Sequence, residues 1–127
     1  MKEIIATVKA PQAIGPYSQG IKVTCSGLLF CSGQVAIDPE TKQIVGKTAS
    51  EQCRQALKNL GEILKAGGAG YNSVVKTTMY LADLADFKAV NEVYTEFFER
   101  QPPARSTVQV ARLPLDAKVE IDAIATI

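Results

Sequence analysis

The stretch that decides the fold is residues 48–81, TASEQCRQALKNLGEILKAGGAGYNSVVKTTMYL. Thr48 and Glu51 stand at the spacing of a capping box. In that motif the threonine hydroxyl takes a backbone N–H of the first turn and the glutamate reaches back to the cap. Cys53, Ala56, Leu57, Leu60, Ile63 and Leu64 then recur at three-and-four spacing, which lays one apolar stripe along a helix. Gly67 and Gly68 stop it. Residues 74–81 are rich in β-branched and aromatic side chains and predict a strand. A helix that feeds a strand in this way is the unit of a crossover connection, which runs right-handed within a sheet.

The same reading extends outward. Residues 2–8 predict a short first strand, and residues 10–16 a loop punctuated by Pro11, Gly15 and Pro16. Residues 21–25 alternate as a half-buried strand does, Ser26 and Gly27 turn the chain, and residues 28–35 return as a third strand. Asp38 and Pro39 open another turn. Beyond residue 81, Asp83 is placed to cap a second helix carrying Phe87, Val90, Tyr94, Phe97 and Phe98 on one stripe, and Pro102 and Pro103 prevent its continuation. Residues 105–110 and 119–127 are the last strands, joined by a loop containing Pro114. The order is β-β-β-α-β-α-β-β over a single domain, residues 1–127. It predicts an α+β fold: a mixed sheet with both helices packed on one face.

Two helices leave the other face uncovered. Pairing the last two strands as a hairpin, with Val108 opposite Ile121, would gather Arg105, Thr107, Gln109, Glu120 and Asp122 on one surface. Such a polar patch on a sheet is expected to be a subunit interface or a cleft.

Composition removes many functions. The 127 residues are 46% hydrophobic and 21% charged, ordinary values for a globular chain, and 14 basic against 13 acidic residues give a net charge of +1. Bulk attraction to nucleic acid is not expected at that balance. No apolar run approaches the roughly 20 residues of a membrane span, and residues 1–5 do not resemble a secretory leader, so a cytoplasmic setting is expected. There is no histidine. Ser-His-Asp and Cys-His nucleophiles and histidine-ligated zinc are therefore excluded. The cysteines, Cys25, Cys31 and Cys53, are odd in number and lack Cys-x-x-Cys spacing, so they are expected to be small buried hydrophobes.

Several residues could carry chemistry. Arg105 follows Pro102 and Pro103, which restrict the backbone before it; it suits two-pronged capture of a carboxylate or phosphate, or else an ordinary salt bridge. Glu120 could position and deprotonate a water, or pair with Arg105, Arg112 or Lys118. Tyr17, on the rigid Gly15-Pro16 loop, is a lid or hydrogen-bond donor, or loop packing. Gly33, between Ser32 and Gln34 inside a strand, marks either close approach of a ligand or a β-bulge. Asn91 is polar within an apolar stripe and is expected to bond a neighbouring loop.

Together these pieces resemble the RidA/YjgF family of enamine/imine deaminases. The matching residues are 14–20 (IGPYSQG), 32–34 (SGQ), 75–78 (VKTT), Asp86 and Phe87, 90–94 (VNEVY), 103–106 (PARS) and 120–125 (EIDAIA). The resemblance implies a chorismate-mutase-like fold of the bacillus type and a homotrimer whose sheets form a barrel with inter-subunit clefts. It implies hydrolysis of small 2-imino acids to 2-oxo acids and ammonia, without cofactor or metal. Arg105 would grip the carboxylate and Glu120 orient the water; Tyr17 would close a pocket lined by Ser32, Gly33, Thr107 and Asn91. Thr107 stands where deaminases of this kind usually carry cysteine. The family also includes proteins described as endoribonucleases or translation inhibitors, and a non-catalytic small-carboxylate binder would need Arg105 but not Glu120.

Overall fold

The computed structural model describes residues 1–127. The long helix, α1 (Ala49–Ala66), starts on the expected capping box: Thr48 Oγ1 accepts from Glu51 N at 3.2 Å, and Glu51 Oε2 accepts from Thr48 N at 3.4 Å. Its buried face is Cys53, Ala56, Leu57, Leu60 and Leu64. It ends at Gly67, and Gly68 takes a φ of +80°, which a side chain would resist. The second helix, α2 (Phe87–Phe97), buries Val90, Val93 and Tyr94. Asp83 caps a short 3-10 turn, Leu84–Asp86, by accepting from Ala85 N at 2.8 Å, so α2 proper begins one turn later than its cap suggested. No helix is long and apolar enough to cross a membrane.

The strands are β1 (Lys2–Ile5), β2 (Gly20–Val23), β3 (Leu28–Gln34), β4 (Val74–Leu81), β5 (Ala104–Gln109) and β6 (Val119–Thr126). The element order and the packing of both helices on one face of a mixed sheet are as the sequence predicts. The four-stranded sheet runs β3-β6-β4-β5. The β4–α2–β5 crossover gives parallel neighbours, with Thr77 opposite Arg105 and Met79 opposite Thr107.

The expected terminal hairpin does not form. β6 lies between β3 and β4, antiparallel to both, and β5 is an edge strand that never touches it. The cause is burial. Val119, Ile121, Ala123 and Ala125 are all buried, and only the centre of the sheet covers a strand's whole apolar face, whereas no residue of β5 is buried. The faces follow. Arg105 and Thr107 register with Thr77 and Met79 on the helix side, while Glu120 and Asp122 register with Tyr80 and Thr78 on the open side. Arg105 and Glu120, expected on one surface, project from opposite faces.

The Ser26–Gly27 turn likewise does not close a hairpin. β2 pairs with β1 in a separate two-stranded sheet, and Gly27 instead exchanges backbone bonds with Ile127, extending the β3–β6 ladder. A bridge between Ser18 and Ala104 attaches this segment to β5. Cys31 and Cys53 are buried as expected, but Cys25, in the loop after β2, is exposed; all three thiols are free.

The core lies between the helices and the sheet, where Leu57, Leu60, Leu64, Met79 and Ile121 are fully buried. Each such side chain contributes about 1.5–3 kcal/mol relative to exposure. The opposite sheet face is open, with Phe30 70% exposed beside Leu28 on one edge strand and Val108 exposed on the other.

Candidate functional site

Arg105 is the first ordered point of the site. Ser18 N donates to Pro103 O at 3.1 Å and Ser18 Oγ donates to Pro102 O, so one buried serine clasps the Tyr17 loop to the segment that aims the arginine. Gly15 lies so near that a Cβ there would sit 3.8 Å from Arg105 Nη2. From the other side, Arg105 Nη1 donates to Asn91 Oδ1 on α2 at 2.8 Å; the loop partner expected for Asn91 is instead this guanidinium. Three rings surround it, with centroids 4.8 Å (Tyr94), 5.6 Å (Phe87) and 5.8 Å (Tyr17) from Cζ, within the range of cation–π attraction.

What the guanidinium lacks is an anion. The ion pairs of the chain are Arg54–Glu96 and Arg112–Asp116, both on the surface, and no carboxylate lies within 4.0 Å of Arg105. Burial pulls its pKa below the ordinary value, the signature of a cation partly removed from water without compensation. The adjacent Tyr94 phenol, pushed up to about 12 chiefly by burial and sharing a 2.7 Å hydrogen bond with Thr77 Oγ1, stays neutral and supplies no counter-charge.

Glu120 belongs to a second cluster on the open face. β3 shifts register between Cys31 and Gln34, so Gly33 sits in a bulge. A Cβ at Gly33 would lie 2.1 Å from Glu120 Oε2, so any side chain there would displace this carboxylate from its present position. Ser32 is exposed beside it. Glu120 makes none of the ion pairs open to it in sequence terms; Arg112 is taken by Asp116 at 2.6 Å. The hollows of the single chain hold neither charge: one of about 350 Å³ touches Tyr17, and one of about 460 Å³ touches Gly33.

Thr107 lies two residues along β5 from Arg105, on the same face. Its Oγ1 is buried without a hydrogen-bond partner. An unpaired buried hydroxyl costs about 1–3 kcal/mol, so Thr107→Val, which keeps the shape, is expected to raise stability by about 1 kcal/mol, a few degrees in Tm. Calorimetric melting checks this; a lower Tm would mean that the hydroxyl is paired in the assembled protein. Phe87 and Tyr94 were not singled out by sequence as site residues, because a helical stripe reads as core, and Ser18 was passed over as one more polar loop residue. The available signal was Phe87 four residues before Asn91, on one helix face.

A mixed sheet under two helices, with a guanidinium on one face and a carboxylate on the other, defines a small α+β protein. The chain belongs to the endoribonuclease L-PSP family, the RidA/YjgF proteins, whose sequence model matches residues 7–127. Among its relatives is Reactive Intermediate Deaminase A, chloroplastic, of Arabidopsis thaliana, 58% identical over 126 residues; the match covers 99% of this chain and 66% of that protein. The 2-iminobutanoate/2-iminopropanoate deaminase of Mus musculus is 52% identical over 125 residues, covering 98% of this chain and 91% of that protein. Among solved structures, E. coli TdcF with bound serine is 43% identical with a TM-score of 0.75, covering 98% of each chain. RidA from an Antarctic Psychrobacter is 41% identical with a TM-score of 0.76, covering 98% of this chain and 99% of that one.

Proposed function

We propose that the protein hydrolyses small 2-imino acids, such as 2-iminopropanoate and 2-iminobutanoate, to 2-oxo acids and ammonia, at clefts between the copies of a cytoplasmic homotrimer. The observation that carries this is the half-buried Arg105, oriented by Asn91 and ringed by aromatics, with no anion of its own. Such a group suits a ligand carboxylate held by two parallel hydrogen bonds.

The chemistry needs little more. The carbon of a protonated imine is already electrophilic. Glu120 takes a proton from water as its oxygen bonds to that carbon, giving a carbinolamine. Glu120 returns that proton to the amine nitrogen; as the C–N bond breaks, the carbinol hydroxyl yields its proton to the Glu120 carboxylate, the carbonyl of the oxo acid forms, and ammonia leaves with that proton as ammonium. No electrons are transferred, so no redox cofactor is required. Tyr17 closes over the bound acid; Ser32 and Gly33 line the Glu120 side of it, and Thr107 and Asn91 the Arg105 side. Since Arg105 and Glu120 project from opposite faces of one sheet, a molecule of this size reaches both only if they come from different copies. The open face, with Phe30 and Leu28 exposed, is the surface those copies would cover. Free cysteines suit the reducing cytoplasm.

The test is ammonia release from an imine generated in situ, with the oligomer's mass measured by sedimentation on the same sample. Release faster than spontaneous hydrolysis, from a particle three chains in mass, is expected. Oxo-acid binding without accelerated release would leave a carboxylate-binding protein, and a stable monomer that turned over would remove the shared site.

A further inference from the structure

We propose that the β1–β2 hairpin is the support of the carboxylate grip, and that Lys2, which fastens it to the segment before Arg105, is a positioning residue for substrate binding. The inference rests on Arg105 as the grip and goes beyond it to what holds that side chain in place. Lys2 Nζ donates to three backbone carbonyls: Gln101 O at 3.0 Å, Val74 O at 3.2 Å and Asn72 O at 3.4 Å. An ammonium has three protons, and each is used. No carboxylate lies within 4.0 Å of it. Burial pulls its pKa below the ordinary value, as for a cation that has exchanged water for carbonyl dipoles alone.

The three carbonyls lie where β4 and β5 both begin. Val74 opens β4, and Gln101 precedes the two prolines that lead into β5. Gln101 has a φ of +41°, a left-handed conformation that a non-glycine residue keeps only where its surroundings hold it. The Lys2 bond to Gln101 O is such a hold. Next along the chain, Ser18 donates to Pro102 O and Pro103 O. The pairing of Lys2–Ile5 with Gly20–Val23 joins the two fasteners, because Gly20 follows closely on Ser18. Residues 101, 102 and 103 are thus all bonded to one unit, and Arg105 is the second residue of the strand they lead into. The hairpin gives nothing to the core, since no residue of β1 or β2 is buried. Its fastening is therefore expected to govern the order of the site rather than the stability of the fold.

The test compares the wild type with Lys2→Met, which keeps the stem and loses the charge, and Lys2→Arg, which keeps a charge with several donors. Measured on each are calorimetric affinity for 2-oxobutanoate, kcat and KM for the imine made in situ, Tm, and hydrogen exchange of the Ser18 amide by NMR. Lys2→Met is expected to lose about three- to tenfold in affinity, the cost of ordering one released long side chain on binding. KM should rise by the same factor with kcat held within about twofold, because Glu120 stands on the other face of the sheet. The Ser18 amide, bonded to Pro103 O, should exchange about tenfold faster or more. Tm should fall by no more than about 3 °C. Lys2→Arg should recover most of the lost affinity. Unchanged affinity, with or without a lower Tm, would make Lys2 a clamp of the fold alone. A Lys2→Arg protein as weak as Lys2→Met would show that the charge is not what holds the segment. Either overturns the inference. A wild type whose affinity depends on Lys2 but which releases no ammonia would defeat the deaminase reading and leave the positioning role standing. A wild type that binds no acid would overturn both.

Discussion

Arg105→Ala is expected to weaken binding of 2-oxobutanoate by about thirty-fold to several thousand-fold while leaving the oligomer's mass unchanged. Truncating one member of a desolvated charge pair typically costs about 2–5 kcal/mol, and each 1.4 kcal/mol or so is a decade. The protein side of the pair is already assembled. Asn91 holds Nη1 at 2.8 Å, and three rings confine the guanidinium, so little side-chain entropy is lost on binding. Arg105→Lys should recover only part of the loss, because an ammonium makes no planar two-pronged contact and cannot reproduce the fit to Asn91. Calorimetry and sedimentation on one sample decide the outcome. If the oligomer fell apart and affinity fell only with it, Arg105 would be an interface residue. An intact oligomer with wild-type affinity would remove Arg105 from the site.

Glu120→Gln is expected to lower turnover about a hundred-fold or more while 2-oxobutanoate binding stays within a few-fold. General-base assistance contributes typically about 10²–10⁴ to rate, and glutamine keeps the shape that fits against Gly33 but cannot accept the proton. The comparison needs ammonia release and oxo-acid affinity on the same variant. Turnover equal to the wild type would reduce Glu120 to a charge filling the bulge beside Gly33. Loss of affinity in parallel with turnover would make its role one of binding.

These two substitutions act on residues that the sequence named but placed incorrectly in relation to each other. Arg105 stood out through the prolines before it, and Gly33 through the oddity of a glycine inside a strand. Glu120 stood out as a charge within an alternating strand. Their local settings are as expected: the arginine at the start of an edge strand, the glycine in a bulge, the glutamate on the solvent side of β6. Phe87 and Tyr94 were legible only as members of an apolar stripe, since spacing along a helix does not reveal which stripe residues cover a charge from a distant strand.

The sequence by itself determined what is local. The capping box at Thr48 and Glu51, the glycine stop after α1 and the alternation of β6 each depend on a few neighbouring residues, and the structure keeps all three, whereas α2 ends at Phe97, short of the Pro102 stop. Alternation also determined which residues share a face within one strand. Only the tertiary structure decided which strands are neighbours, and so which residues of different strands share a face. The apolar side of β6 needed cover along its whole length, and the centre of the sheet provides that; the polar β5 was left at the edge. That exchange put Thr77 opposite Arg105 and Tyr80 opposite Glu120, turning the two charges to opposite sides of one sheet.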